Sequence, residues 1–161
     1  MSGLVPDLVA VLALFVNGLV AGLFFAFVVA VSPGLRRVDD GAFTGAFRAI
    51  NAAILRPSFL VVFAAAPASA ALLAVLHVVD GSSASTWAVG AAAASVATFV
   101  ITAARNVPLN EALARADVSG PTSASAARRA FESPWTRWNT VRTLTSTGAV
   151  LGLAASAVAA A

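Results

Sequence analysis

Four apolar runs divide this chain, and the polar segments between them carry nearly all of its charge. Leu8 to Val31 holds no charged residue. As a helix rising about 1.5 Å per residue, a run of that length crosses a hydrocarbon core of roughly 30 Å with room to tilt. A cleaved leader is the competing reading, but Asp7 and no basic residue precede the run, and its apolar part is too long. A second run, Phe59 to Val79, opens after Arg56-Pro57-Ser58, where proline suits a first helical turn, and closes at Asp80-Gly81-Ser82-Ser83. The third, Trp87 to Ala104, follows so closely that the two must form an antiparallel hairpin. The fourth, Leu144 to Ala161, is alanine-rich and only moderately apolar; Ser133-Pro134 ahead of it forms a cap and first-turn pair that would start the helix in the membrane interface.

Two polar segments have patterns of their own. From Gly41 to Leu55, Phe43, Phe47, Ile50 and Ile54 recur at helical spacing with Arg48 and Asn51 on the other face, which suits a short helix lying on the membrane surface or folded against the bundle. Between Ala116 and Ala130 serine, glycine, proline and alanine dominate, the composition of a flexible loop. The expected fold is all-α, a single integral membrane domain over residues 1–161: a four-transmembrane-helix bundle with short interfacial helices on the cytoplasmic side.

Composition agrees, since 60% of the 161 residues are hydrophobic and 11% are charged, more apolar surface than a soluble domain of this length hides. Charge adds orientation. Arg36, Arg37, Arg48 and Arg56 follow the first run, the other six arginines follow the third, and the N-terminus, the Asp80 loop and the C-terminus hold none. The positive-inside rule then places both termini outside a cell membrane and both arginine-rich segments in the cytoplasm. The basic balance thus needs no nucleic acid as partner, and nothing resembles a recognition helix. The absence of cysteine excludes disulfides and thiolate chemistry, and a lone histidine, His77, argues against a transition-metal or haem site. His77 reads as interfacial. No acidic residue lies inside a span, so a proton or cation relay is not expected.

A few polar residues stand out. Asn17 sits mid-span in the first run beside a small-residue stripe, Gly18, Gly22, Ala26 and Ala30, that lets another backbone approach, from this bundle or from a second copy of the chain. Asn17 is then either the hydrogen-bonding glue of a packing seam or a substrate contact. In Arg105-Asn106-Val107-Pro108-Leu109-Asn110-Glu111 the proline is expected to break or kink the helix, with Asn106 and Asn110 capping the ends or facing a cavity. Trp135, Trp138, Asn139 and Arg142 fall on one helix face continued by Thr145 and Ser146. They form either an aromatic belt with arginine reaching lipid phosphates, or a wall that holds a flat, oxygenated ring by stacking and hydrogen bonds. Depth arguments place Asn51, Asn106, Asn139 and Arg142 at one level, and with Asn17 they are expected to converge on one cavity.

Several of these segments resemble the anthrone oxygenase-like family, a bacterial family of small four-helix integral membrane proteins. The resemblance rests on Asn17 with Gly22-Leu23-Phe24-Phe25-Ala26-Phe27, Ser32-Pro33-Gly34-Leu35, Ala49-Ile50-Asn51 with Pro57, Asn106-Val107-Pro108-Leu109-Asn110, and Trp135-Thr136-Arg137-Trp138-Asn139-Thr140-Val141-Arg142. Fungal relatives are associated with oxidising anthrones to anthraquinones without metal or flavin. The resemblance therefore implies a membrane-embedded oxygenase that uses no cofactor and acts on a hydrophobic aromatic or quinone-like small molecule. In such a site Arg142, Asn139, Asn106 and Asn17 would form the catalytic set, and Trp135, Trp138, Arg48, Asn51 and Asn110 would hold the substrate. Glu111 is the nearest candidate base. The competing class is a non-enzymatic membrane component, an accessory subunit packing through the Gly18/Gly22 face or a small carrier of lipophilic molecules.

The topology is tested by labelling: cysteines introduced as Ser83→Cys and Ser125→Cys should react from opposite sides of the membrane, and reaction of both from one side would contradict it.

Overall fold

The computed structural model describes residues 3–160, in five helices with no strand among them: α1 (Leu4–Leu35), α2 (Asp40–Ile54), α3 (Pro57–Val79), α4 (Ser85–Arg115) and α5 (Pro121–Ala160). Four of them, α1, α3, α4 and α5, are long and apolar enough to cross a membrane. They form a ring in which α1 packs on α3, α3 on α4, α4 on α5 and α5 back on α1. Local chemistry sets most of the boundaries. Pro57 occupies the first turn of α3, and the Asp39 carboxylate accepts the Ala42 N–H at 2.8 Å to cap α2. The hairpin between α3 and α4 turns on Gly81 at φ +62°. Its neighbours close the helix end with Ser82 N–H to His77 C=O (2.9 Å) and Gly81 N–H to Val78 C=O (3.2 Å), a geometry that favours a residue without Cβ.

Two of the spans are longer than their apolar runs, for a shared reason. Pro33 and Pro108 each follow a wider, π-type turn, Phe27–Val31 in α1 and Thr102–Asn106 in α4, closed by Ser32 N–H on Phe27 C=O and Val107 N–H on Thr102 C=O. The extra residue per turn keeps the proline ring clear of the carbonyl four residues back, so the helix continues. The expected break at Pro108 is therefore absent, and Asn106 and Asn110 cap nothing.

The segment Ala116 to Ala130, expected as a loop, is helical from Pro121 onward, and α5 runs unbroken for 40 residues with Pro134 inside it. Alanine favours helix, and the Arg128 guanidinium fixes the early turns by donating to Glu132 Oε2 at 2.7 Å. Only a short turn remains before it, shaped by the Asp117 carboxylate, which accepts the Ser119 N–H at 2.9 Å and has its pKa lowered by that bond. The short helix α2 is folded against the bundle: Phe43 and Phe47 are buried against Phe131 and Trp135 of α5.

Within the bundle the small-residue stripe forms no packing seam. Gly22 is exposed, and a Cβ built at Gly18 or Gly22 meets nothing within 4 Å. The packing face of α1 is Ala13, Val16, Asn17, Val20 and Phe24, one helical stripe away. The tightest glycine contact lies instead between α4 and α5, where a Cβ at Gly152 would come 3.0 Å from the Ala91 Cβ and 3.3 Å from its Cα. Large side chains at Ala13 or Gly152 should each lower thermal stability in detergent by about 1–3 kcal/mol through overpacking. Gly22→Leu should leave it unchanged. A greater loss from Gly22→Leu than from Ala13→Leu would return the stripe to the interior.

Candidate functional site

Two groups of buried polar residues stand out. In the apolar middle of the bundle, the Asn17 amide donates to the carbonyls of Ala13 (2.9 Å) and Ala66 (3.0 Å), and its oxygen accepts the Ser95 hydroxyl at 2.7 Å. One side chain thus uses both donors and an acceptor to join α1, α3 and α4. A void of about 10 Å³ lies beside it, lined by Val20, Ser95, Thr98 and Ser146 among others. Neither Asn106, Asn139 nor Arg142 borders that void, so the single cavity expected to gather all five residues is not what forms.

The second group lies at the arginine-rich end. Arg142 is 5% exposed, and its Nη2 donates to Asn139 Oδ1 at 2.8 Å; the Asn139 amide in turn donates to the Phe24 carbonyl at 3.1 Å, where α1 passes into its π turn. The guanidinium carbon sits 4.2 Å from the centre of the Phe24 ring and 5.4 Å from Trp135. Trp135 is held on both sides: its Nε1 donates to Asn110 Oδ1 at 2.8 Å, and its carbonyl lies 3.5 Å from the Asn106 amide. Phe27 (5.2 Å) and Phe47 (5.0 Å) complete the aromatic wall around its indole. Asn106, Asn110, Trp135, Asn139 and Arg142 are therefore brought together by α4 and α5, against α1.

Arg142 forms no ion pair among the described residues. Its Nε has no hydrogen-bond partner, and neither do Asn106 Oδ1, Asn51 Nδ2 and Ser32 Oγ, all buried. An unpaired charge in such a place is costly by several kcal/mol, and faces of two rings offset only about 2 kcal/mol of that. A buried donor and a buried acceptor are thus left without partners near a flat aromatic surface, a set whose chemistry matches an anionic or carbonyl oxygen and a hydroxyl.

The remaining sequence-predicted residues lie outside this group. Trp138 is half-buried beneath the Arg105 guanidinium, 5.0 Å away. Arg48 is committed elsewhere, donating to the carbonyls of Leu113 (3.0 and 2.8 Å) and Ala116 at the end of α4. Glu111 is exposed and pairs with Arg115 at 3.4 Å, so it cannot serve the Arg142 group as base. His77 lies in the last turn of α3 and is buried against the bundle, at 7% exposure. Phe24 and Phe27 had no role of their own in the sequence reading, because inside an apolar span a ring that lines a site and one that faces lipid look alike. The side-chain partner of Asn17 was findable, since Ser95 is one of few hydroxyls in an otherwise apolar run.

A third cluster ties α2 to the bundle. Arg128, read from sequence as loop, donates to Asp40 Oδ1 (3.0 Å), the Val38 carbonyl (2.9 Å) and the Arg36 carbonyl (3.3 Å), and lies 4.4 Å over the Phe43 ring.

Together these features define an all-α bundle of four membrane-length helices that encloses a guanidinium within aromatic rings and carboxamides at one end. The chain belongs to the anthrone oxygenase family, whose model matches residues 43–152, well over half its length. The match begins within α2, so Asn17, Phe24 and the remainder of α1 lie ahead of it. Comparison with curated proteins and with solved structures gives no match in either case.

Because Arg128 holds α2 down, Arg128→Leu should release it. Hydrogen exchange over residues 40–54 is expected to rise, with a loss of about 2 kcal/mol or more from the charge-assisted bonds. Exchange unchanged from wild type would mean that the Phe43 and Phe47 contacts alone hold the helix.

Proposed function

We propose that the protein binds a hydrophobic, oxygenated aromatic molecule at Arg142 and promotes its oxidation by molecular oxygen, as a membrane-embedded oxygenase that needs no cofactor. The observation that carries this reading is the buried Arg142 guanidinium, paired with no carboxylate and leaving Nε free beside Asn106 and Trp135. In an anthrone-like substrate, loss of a proton from the ring methylene gives an enolate whose negative charge is spread onto the ring oxygen. That oxygen is the group Arg142 would hold, with Asn139 fixing the guanidinium and Asn106 Oδ1 accepting a neighbouring phenol O–H. The enolate reduces O₂ directly. Overall, R₂CH₂ + O₂ gives R₂C=O + H₂O, with one oxygen atom retained in the new carbonyl and the other leaving as water. With Glu111 at the surface, the protein's part is to lower the methylene pKa by stabilising the anion, and water takes the proton.

One observation favours the second reading, a non-enzymatic accessory subunit or carrier: Arg142 Nε and Asn106 Oδ1 are both buried, so a ligand must open the packing to reach them.

Oxygen uptake and ligand binding by the purified protein, measured against a panel of anthrones and hydroquinones, separate the two. Arg142→Leu should weaken binding by about 2–5 kcal/mol, upwards of roughly thirtyfold, and abolish turnover. Arg142→Lys should retain part of the binding, and the exposed Arg56→Leu should behave as wild type. Binding without oxygen uptake would make the protein a carrier; no binding by any variant would sink both ligand readings.

A further inference from the structure

On the side of α5 that faces away from the bundle, Ser133, Thr136, Arg137 and Thr140 follow one another at helical spacing. With Arg36 from the end of α1, and with Arg129 and Glu132, they line an open groove of about 580 Å³. The one carboxylate there is already neutralised, since Glu132 takes Arg128 at 2.7 Å and Arg36 at 3.4 Å. Arg129 reaches only the Ser125 hydroxyl, at 2.6 Å, and neither Arg129 nor Arg137 forms an ion pair among the described residues. Two free guanidinium groups and three hydroxyls thus face one space, the donor set that suits a phosphate.

What lies next to the groove decides the source of that phosphate. The same face of α5 continues as Leu144, Leu151 and Val158, which are 68%, 65% and 80% exposed, and α1 beyond Arg36 presents Val29 and Phe25 at 53% and 56%. A basic, hydroxyl-lined pocket therefore opens directly onto two lipid-facing apolar ridges, in the order in which a phospholipid carries its headgroup and its chains. Basic pockets of this kind at the cytoplasmic level hold anionic headgroups. We propose that the groove is a binding site for an anionic phospholipid, with its phosphate between Arg129 and Arg137 and its acyl chains along Leu144 and Leu151. The site is separate from the Arg142 cluster, because it lies on the opposite face of α5.

Native mass spectrometry of the full chain in detergent tests this directly, with phosphatidylglycerol, phosphatidylcholine and inorganic phosphate as probes. Wild type should retain phosphatidylglycerol in preference to the other two. Each arginine removed should weaken that retention roughly fivefold, so Arg129→Gln with Arg137→Gln should lose about twenty-five-fold, while Arg56→Gln changes nothing. Should the double variant not purify, Arg137→Gln alone, at an exposed position, carries the same test. Equal retention of phosphatidylcholine would show that only the chains bind, and phosphate retained as well as lipid would make it a free-anion site. Either result, or a double variant indistinguishable from wild type, overturns the proposal.

Discussion

A positive charge enclosed where no negative one meets it constrains the rest of this structure. Arg142 cannot be left bare, and every element near it serves the guanidinium or serves a residue that does. Asn139 turns its oxygen to the arginine and anchors its nitrogen on the Phe24 carbonyl. The Phe24 ring covers the cation, and Trp135, held through Asn110, closes a second side. That carbonyl sits where α1 passes from a regular to a wider turn, as helix geometry loosens around a proline. The packing of one side chain is thereby linked to the backbone of a helix more than a hundred residues away in sequence.

The two polar groups of the interior do different physical work. Asn17 is fully satisfied, and in an apolar medium such a node specifies which helices meet. The Arg142 group is left incomplete, with donors and acceptors that the protein itself does not meet. Buried polar atoms without partners are uncommon in native proteins, and four of them border the contacts among α1, α2, α4 and α5. The contrast is between a group that completes its own hydrogen bonding and one that leaves donors and acceptors over.

Much of the fold was legible in the sequence, because charge and hydropathy vary over the same length as a membrane span. The hairpin at Asp80, the proline start of α3 and the short helix carrying Phe43 and Phe47 follow from local rules. What escaped was set by distant contacts. Nothing local marks Arg128 as the residue that ties α5 to Asp40, so the stretch around it reads as loop. Proline reads as a break because the sequence does not reveal a π turn that accommodates it. Gly18 and Gly22 look like a seam, yet which face of an apolar helix turns inward depends on its partners. At the site, Trp135, Asn139 and Arg142 were legible from their shared face, and Asn106 and Asn110 from the motif they form. Arg48 was misplaced because a guanidinium capping a helix end and one awaiting an anion have the same sequence signature.

The length of α5 has a mechanical meaning. At about 1.5 Å per residue its 40 residues make a rod near 60 Å long, about twice what a hydrocarbon core requires. Pro134 lies a third of the way along, beside Trp135, and the backbone hydrogen bond it lacks makes that turn the softest point of the rod, next to the arginine cluster. A pivot of about 10° there would carry Pro121, roughly 20 Å away, through some 3 Å. A displacement of α2, which Arg128 and Phe131 join to that arm of α5, would thereby reach the enclosed cation without touching it.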